Sequence, residues 1–155
     1  MRHVTLTALS IAALSLSAAP RLQVQRTLIE SVPFVVTTQL PEGWTVDDGR
    51  VVPPAALRPA CRVTGSVMQD RRWKSVVADA LREDAPAWRQ LRKIGEHETA
   101  EYRTTVGSRT TDTVYINLEP MGVAIWRVEA DNNDAGLQCQ TEFSLLVGTL
   151  AISRP

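Results

Sequence analysis

Three runs of alternating apolar and polar residues, joined by short turns, constrain the fold of this chain more than anything else in it. In "EHETAEYRTTVG" the alternation places Glu98, Ala100, Tyr102, Thr104 and Val106 on one side and ends at Gly107-Ser108. "RTTDTVYINLE" follows, with Val114, Ile116 and Leu118 opposite Thr113, Tyr115 and Asn117. Pro120 and Gly122 mark a turn, and "VAIWRVEA" returns. Successive side chains of a strand point to opposite faces, so period-two patterning across tight turns predicts an antiparallel meander. "WRQLRKIG", just upstream, reads as a further strand.

The first half adds shorter strands. "SVPFVVTTQ" (31–39) is rich in β-branched residues and reads as a strand. "LPEGW" then turns the chain, with Pro41 fixing φ and Gly43 free to take the left-handed conformation. Trp44 and Val46 resume the alternation up to the turn signal Asp48-Gly49, which places Trp44 as a lid over one edge of the core. "VVPPAALRPA" (51–60) has three prolines and no period, so an extended connection is expected. In "CRVTGSVM", Cys61, Val63, Gly65 and Val67 share one face of a half-buried strand.

Two segments change to the helical period. Asp70 is placed to cap "RRWKSVVADALRED", where Trp73, Val76, Val77, Ala80 and Leu81 form one apolar stripe and Pro86 stops the helix. "DNNDAG" is a loop able to cap a second helix, "LQCQTEFSLLVGTLAI". There Cys139, Phe143, Leu146, Val147 and Leu150 lie on one face. A chain of 155 residues with 44% apolar composition suits one domain with a real core. The expected fold is α+β, an antiparallel sheet covered by two helices, with the domain spanning residues 31–152.

The N-terminus predicts an address. "MRHVTLTALSIAALSLSAAP" has Arg2, an apolar run from Val4 to about Leu16, and small residues at Ser15, Ser17, Ala18 and Ala19. These are the three parts of a secretory signal peptide, taken as residues 1–19, with cleavage between Ser17 and Arg21 and residues 20–30 as an extension. The run is too short to span a bilayer comfortably, so no membrane span is expected after cleavage. The chain has two cysteines, Cys61 and Cys139. In a periplasmic or secreted protein an even, minimal pair reads as one disulfide, joining the closing helix to an early strand.

The order of elements, the "LPEGW" turn and the closing "EFSLLVGTL" resemble the PsbP-like and DcrB-like family of small α/β/α sandwiches over most of residues 30–152. The family pattern matches Phe143, Leu146 and Leu150. The resemblance implies an exported accessory protein or chaperone-like adaptor without catalytic motifs. The chain departs from the family in having no lipid-anchoring cysteine and in carrying the Cys61/Cys139 pair.

Residues able to carry chemistry are sparse. Lys+Arg and Asp+Glu both number 17, so no basic excess points to nucleic acid. His97, between Glu96 and Glu98, lies on a strand where these neighbours point away from it, so a solvated edge position is expected and no metal site. "DDG" and "DNND" lack the spacing of a calcium loop, and no GxSxG elbow occurs. Neither a cofactor nor a catalytic set is expected. Trp44, Trp88 and Trp126 are candidates for an exposed binding patch, Trp73 being turned to the core by its helical phase. The reading is a non-enzymatic envelope protein that binds a partner protein or small ligand, in an accessory, adaptor or immunity-type role. The alternatives are a small periplasmic hydrolase using carboxylates gathered by the fold, or a structural subunit of an envelope complex.

Overall fold

Residues 22–29, 32–83 and 88–153 are described by a computed structural model. In chain order the elements are β1 (Leu22–Ile29), β2 (Val32–Gln39), β3 (Thr45–Asp47), β4 (Arg50–Val52), β5 (Cys61–Met68), α1 (Trp73–Glu83), β6 (Trp88–Ile94), β7 (His97–Val106), β8 (Arg109–Asn117), β9 (Val123–Asp131), α2 (Asp134–Gly148) and β10 (Ala151–Ser153). The alternating runs form a five-stranded antiparallel sheet of order β5-β9-β8-β7-β6. The signal-peptide segment and Pro86 lie outside the described residues.

Alternation along β8 and β9 feeds two cores. Val114 and Ile116 of β8, with Ala124, Trp126, Val128 and Ala130 of β9, meet Cys139, Phe143, Leu146 and Val147 of α2. The intervening Tyr115 and Val123 join Ala100 and Tyr102 of β7 under Val76 and Ala80 of α1. Tyr102 and Tyr115 stack edge to face there, ring centroids 5.6 Å apart. The two helices therefore lie on opposite faces of the sheet, in three layers. Each fully buried aliphatic or Phe side chain in these layers contributes about 1.5–3 kcal/mol of transfer free energy.

The structure corrects several sequence expectations. Leu22–Ile29, read as an extension, is a strand paired along its whole length with β2. Strand β2 does not enter the main sheet; with β1 and β10 it makes a separate three-stranded sheet. The expected closing helix ends at Gly148, where Thr149 turns its N–H and Oγ1 back to the Leu146 carbonyl at 3.2 and 3.0 Å. Residues Ala151–Ser153 then pair with β2. Residues 53–60 are not extended: the Leu57 and Arg58 N–H groups donate to the Pro54 carbonyl at 2.9 and 3.2 Å. Proline is suited to start such a turn, and burial of Leu57 anchors it.

The caps divide in the same way. Asp70 has φ 54°, the left-handed region, whereas an N-cap is extended. The first turn of α1 is capped instead by Glu119, whose Oε1 accepts from the Trp73 N–H at 2.8 Å. A carboxylate there also complements the helix dipole. In α2 the expected loop does cap: Asn133 Oδ1 accepts from the Gly136 N–H at 2.8 Å. Only glycine fits at 136, since a Cβ would lie 2.0 Å from the Asp131 carbonyl oxygen.

Cys61 of β5 and Cys139 of α2 are joined by a disulfide, Cα atoms 6.4 Å apart and 78 positions apart in the chain. Closing a loop of that length removes denatured-state entropy equivalent to roughly 3–4 kcal/mol in the chain-entropy model. Replacing both cysteines by alanine is expected to lower the unfolding free energy in urea by about that amount. An unchanged midpoint would contradict it.

A candidate functional site at one end of the sheet

Three chain reversals from distant parts of the sequence meet at one end of the main sheet. They are the 53–60 turn, the β7–β8 tip at Gly107-Ser108, and the β9–α2 loop at Asn132-Asn133. Backbone bonds tie them together: the Asp131 N–H donates to the Ala60 carbonyl and the Asn132 N–H to the Ser108 carbonyl, each at 2.8 Å. The Thr110 hydroxyl donates to Asn132 Oδ1 at 2.7 Å. Loops fixed on a rigid sheet are common carriers of recognition.

At this end lies a concavity of about 150 Å³ lined by Arg58 and Pro59 of the 53–60 turn, Cys61 and Arg62 of β5, Arg109 of β8 and Glu129 of β9. Strand register places Arg62 directly opposite Glu129, and Arg109 opposite Asp131. Arg109 donates from Nε and Nη2 to Asp131 Oδ1, both at 3.2 Å. Arg58 is steered by its Nε–H, which donates to the Pro53 carbonyl at 3.0 Å. Among the described residues neither Arg58 nor Arg62 forms an ion pair with a carboxylate. Two other arginines of the sheet have carboxylate partners. Arg92 pairs with Glu101, and Arg103 forks onto Asp112 at 2.6 and 2.8 Å. The bond from Asp112 holds the Arg103 guanidinium above its ordinary pKa, against a smaller opposing effect of burial.

The proposed tryptophan patch is corrected for two of its three members. Trp44 and Trp126 are buried in the α2-side core, 4% and 9% exposed, too little to form a surface patch. The Trp44 indole N–H donates to Glu142 Oε2, and Glu142 Oε1 accepts from Gln138 Nε2 at 2.8 Å. The Trp126 ring covers Gly65, where a Cβ would meet it at 3.8 Å. Trp88 opens β6 opposite Arg103; its side chain lies outside what is described. The large apolar side chains that do reach solvent include Val106 on the β7–β8 hairpin, 80% exposed, and Leu137 and Leu145 on α2, each 63% exposed.

His97 is not a solvated edge residue. It is half-buried, with Nδ1 2.9 Å from the Asn117 carbonyl oxygen and Nε2 3.3 Å from that of Ile152. The ring thus sits at the seam between the main sheet and β10. Among the described residues no group of three or more His, Cys, Asp or Glu is placed to hold a metal ion, and no helix is long and apolar enough to cross a membrane.

Sequence reasoning missed Arg58, Arg62, Arg109 and Glu129, because they come from a turn and three strands that only the fold brings together. The available signal was phase: Arg62 and Glu129 occupy polar positions between apolar neighbours, whereas Arg109 lies in a polar stretch that offers none. Comparison with protein-family models, curated proteins and solved structures finds no match to this chain.

Trp44→Phe keeps the ring in the core and removes the bond to the Glu142 carboxylate. It is expected to cost about 1.5–3 kcal/mol in chemical denaturation, the range for a hydrogen bond to a charged group. A variant as stable as the parent would show that the bond contributes nothing.

Proposed function

We propose that this chain is an exported, non-enzymatic protein of the cell envelope that binds a partner protein through the notch bounded by Arg58, Arg62 and Arg109. The observation that carries the reading is a concavity at the sheet end where three hydrogen-bonded chain reversals meet, lined by two arginines that have no ion-pair partner among the described residues. An arginine fork with free N–H donors suits recognition of another molecule, and Arg is enriched among residues that dominate binding energy. Export is argued from the charged start, apolar run and small residues of Met1–Pro20, and it agrees with the Cys61–Cys139 bond. The accessory, adaptor or immunity-type role, and the likeness to the PsbP-like and DcrB-like sandwiches, belong to the same proposal. Four carboxylates outside the notch lining, Asp79, Glu101, Asp112 and Asp131, are engaged by arginines, which favours binding over acid–base work at those groups.

Site-specific photocrosslinking in the cells that produce the protein tests this reading. A photoreactive residue at Ser108, next in the chain to Arg109 of the notch lining, is expected to give one discrete protein adduct, carried by a chain whose N-terminus falls between residues 18 and 21. The same residue at Leu91, on the far edge strand, is expected to give none. Equal labelling from both positions, or none from Ser108, would remove the notch as the binding surface.

A further inference from the structure

Resting on the notch as the binding surface, we infer that it receives an acidic segment of the partner, one Asp or Glu side chain entering the concavity between Arg58 and Arg62. Three arginines and a single glutamate line it, in a chain whose Lys+Arg and Asp+Glu number 17 each. Guanidinium donors remain available on all three arginines. Arg58 uses its Nε–H on Pro53, Arg109 uses Nε and Nη2 on Asp131, and Arg62 makes no side-chain bond to a described residue. A planar fork of N–H donors matches a carboxylate in two parallel bonds, the strongest common charge-assisted pairing.

Size narrows the class further. A concavity of about 150 Å³ holds the volume of a few waters or one carboxylate side chain. Sites for free cofactors and drug-sized ligands start at about 300 Å³. The notch therefore takes the tip of something larger whose remainder stays outside. Val106, the residue paired with Arg109 across the hairpin turn, offers that remainder an apolar contact beside the charged one. Glu129 repels a second carboxylate placed directly over β9, so acidic residues adjacent in the ligand are disfavoured and spaced ones accepted.

The test uses the intact disulfide-bonded protein and three probes: a blocked octapeptide with two glutamates separated by one residue, its glutamine twin, and inorganic phosphate. Binding is read by NMR amide shifts at peptide concentrations up to a few millimolar. The glutamate peptide is expected to shift amides of residues 58–62, 106–109 and 129, to weaken as salt is raised, and to bind at least about tenfold tighter than its twin. Arg58→Gln with Arg62→Gln should remove that difference while unfolding at the parental urea midpoint, and Glu129→Gln should tighten the glutamate peptide. Equal binding of the two peptides, binding indifferent to the arginine changes, or no shift at any concentration overturns the inference. So does displacement by phosphate at equal concentration, which would make the notch a general anion site. The two readings fail separately. A Ser108 adduct that persists in the double arginine variant keeps the partner-binding surface and removes its acidic ligand, whereas absence of any adduct removes both.

Discussion

Both faces of the first half of β9 must leave water at once. Ala124, Trp126, Val128 and Ala130 enter one core, while Val123 and Ile125 face the other. A strand buried on both sides needs a layer on each, and the two helices supply them. The register of β8 is set by the same demand, since a slip of one residue would exchange Tyr115 for Val114 or Ile116 and turn each into the wrong core. The disulfide acts at the margin of this arrangement. It joins α2 to the outer strand β5, which has a paired neighbour on one side only.

The second sheet is attached both through α2 and through β7 of the main sheet. The Thr38 hydroxyl donates to the Leu146 carbonyl at 2.8 Å, and the Gln39 N–H to Thr149 Oγ1 at 3.1 Å, at the point where the helix ends. His97 closes the same seam from the other side. Charges are kept away from both cores. Along the sheet Arg92 pairs with Glu101, Arg103 with Asp112 and Arg109 with Asp131, while Arg58 and Arg62, at the end where three reversals meet, have no ion-pair partner among the described residues.

How much of this was readable depended on the range of the interaction. The parity of Val114 and Ile116 against Tyr115, and the apolar stripes of Trp73–Leu81 and Cys139–Val147, are local periodicities and carried through to the fold. So did the Asn133 cap, which acts within three residues. The α1 cap did not, because Glu119 reaches Trp73 from 46 positions away and Asp70 offered a plausible local substitute. Trp44 is buried as the lid reading has it, but its bond to Glu142, 98 positions on, was not legible. The notch was illegible for the same reason. Arg62, Glu129 and Arg109 become neighbours only once β5, β9 and β8 are in register.

Native-state hydrogen exchange tests double-sided burial of the central strands most directly. The account predicts that amides of residues 113–117 and 124–130 exchange last, at the rate of global unfolding, with β1, β2 and β10 opening earlier through a smaller barrier. Slowest exchange in the three-stranded sheet, or early opening of β8 and β9 while α1 and α2 stay protected, would contradict it.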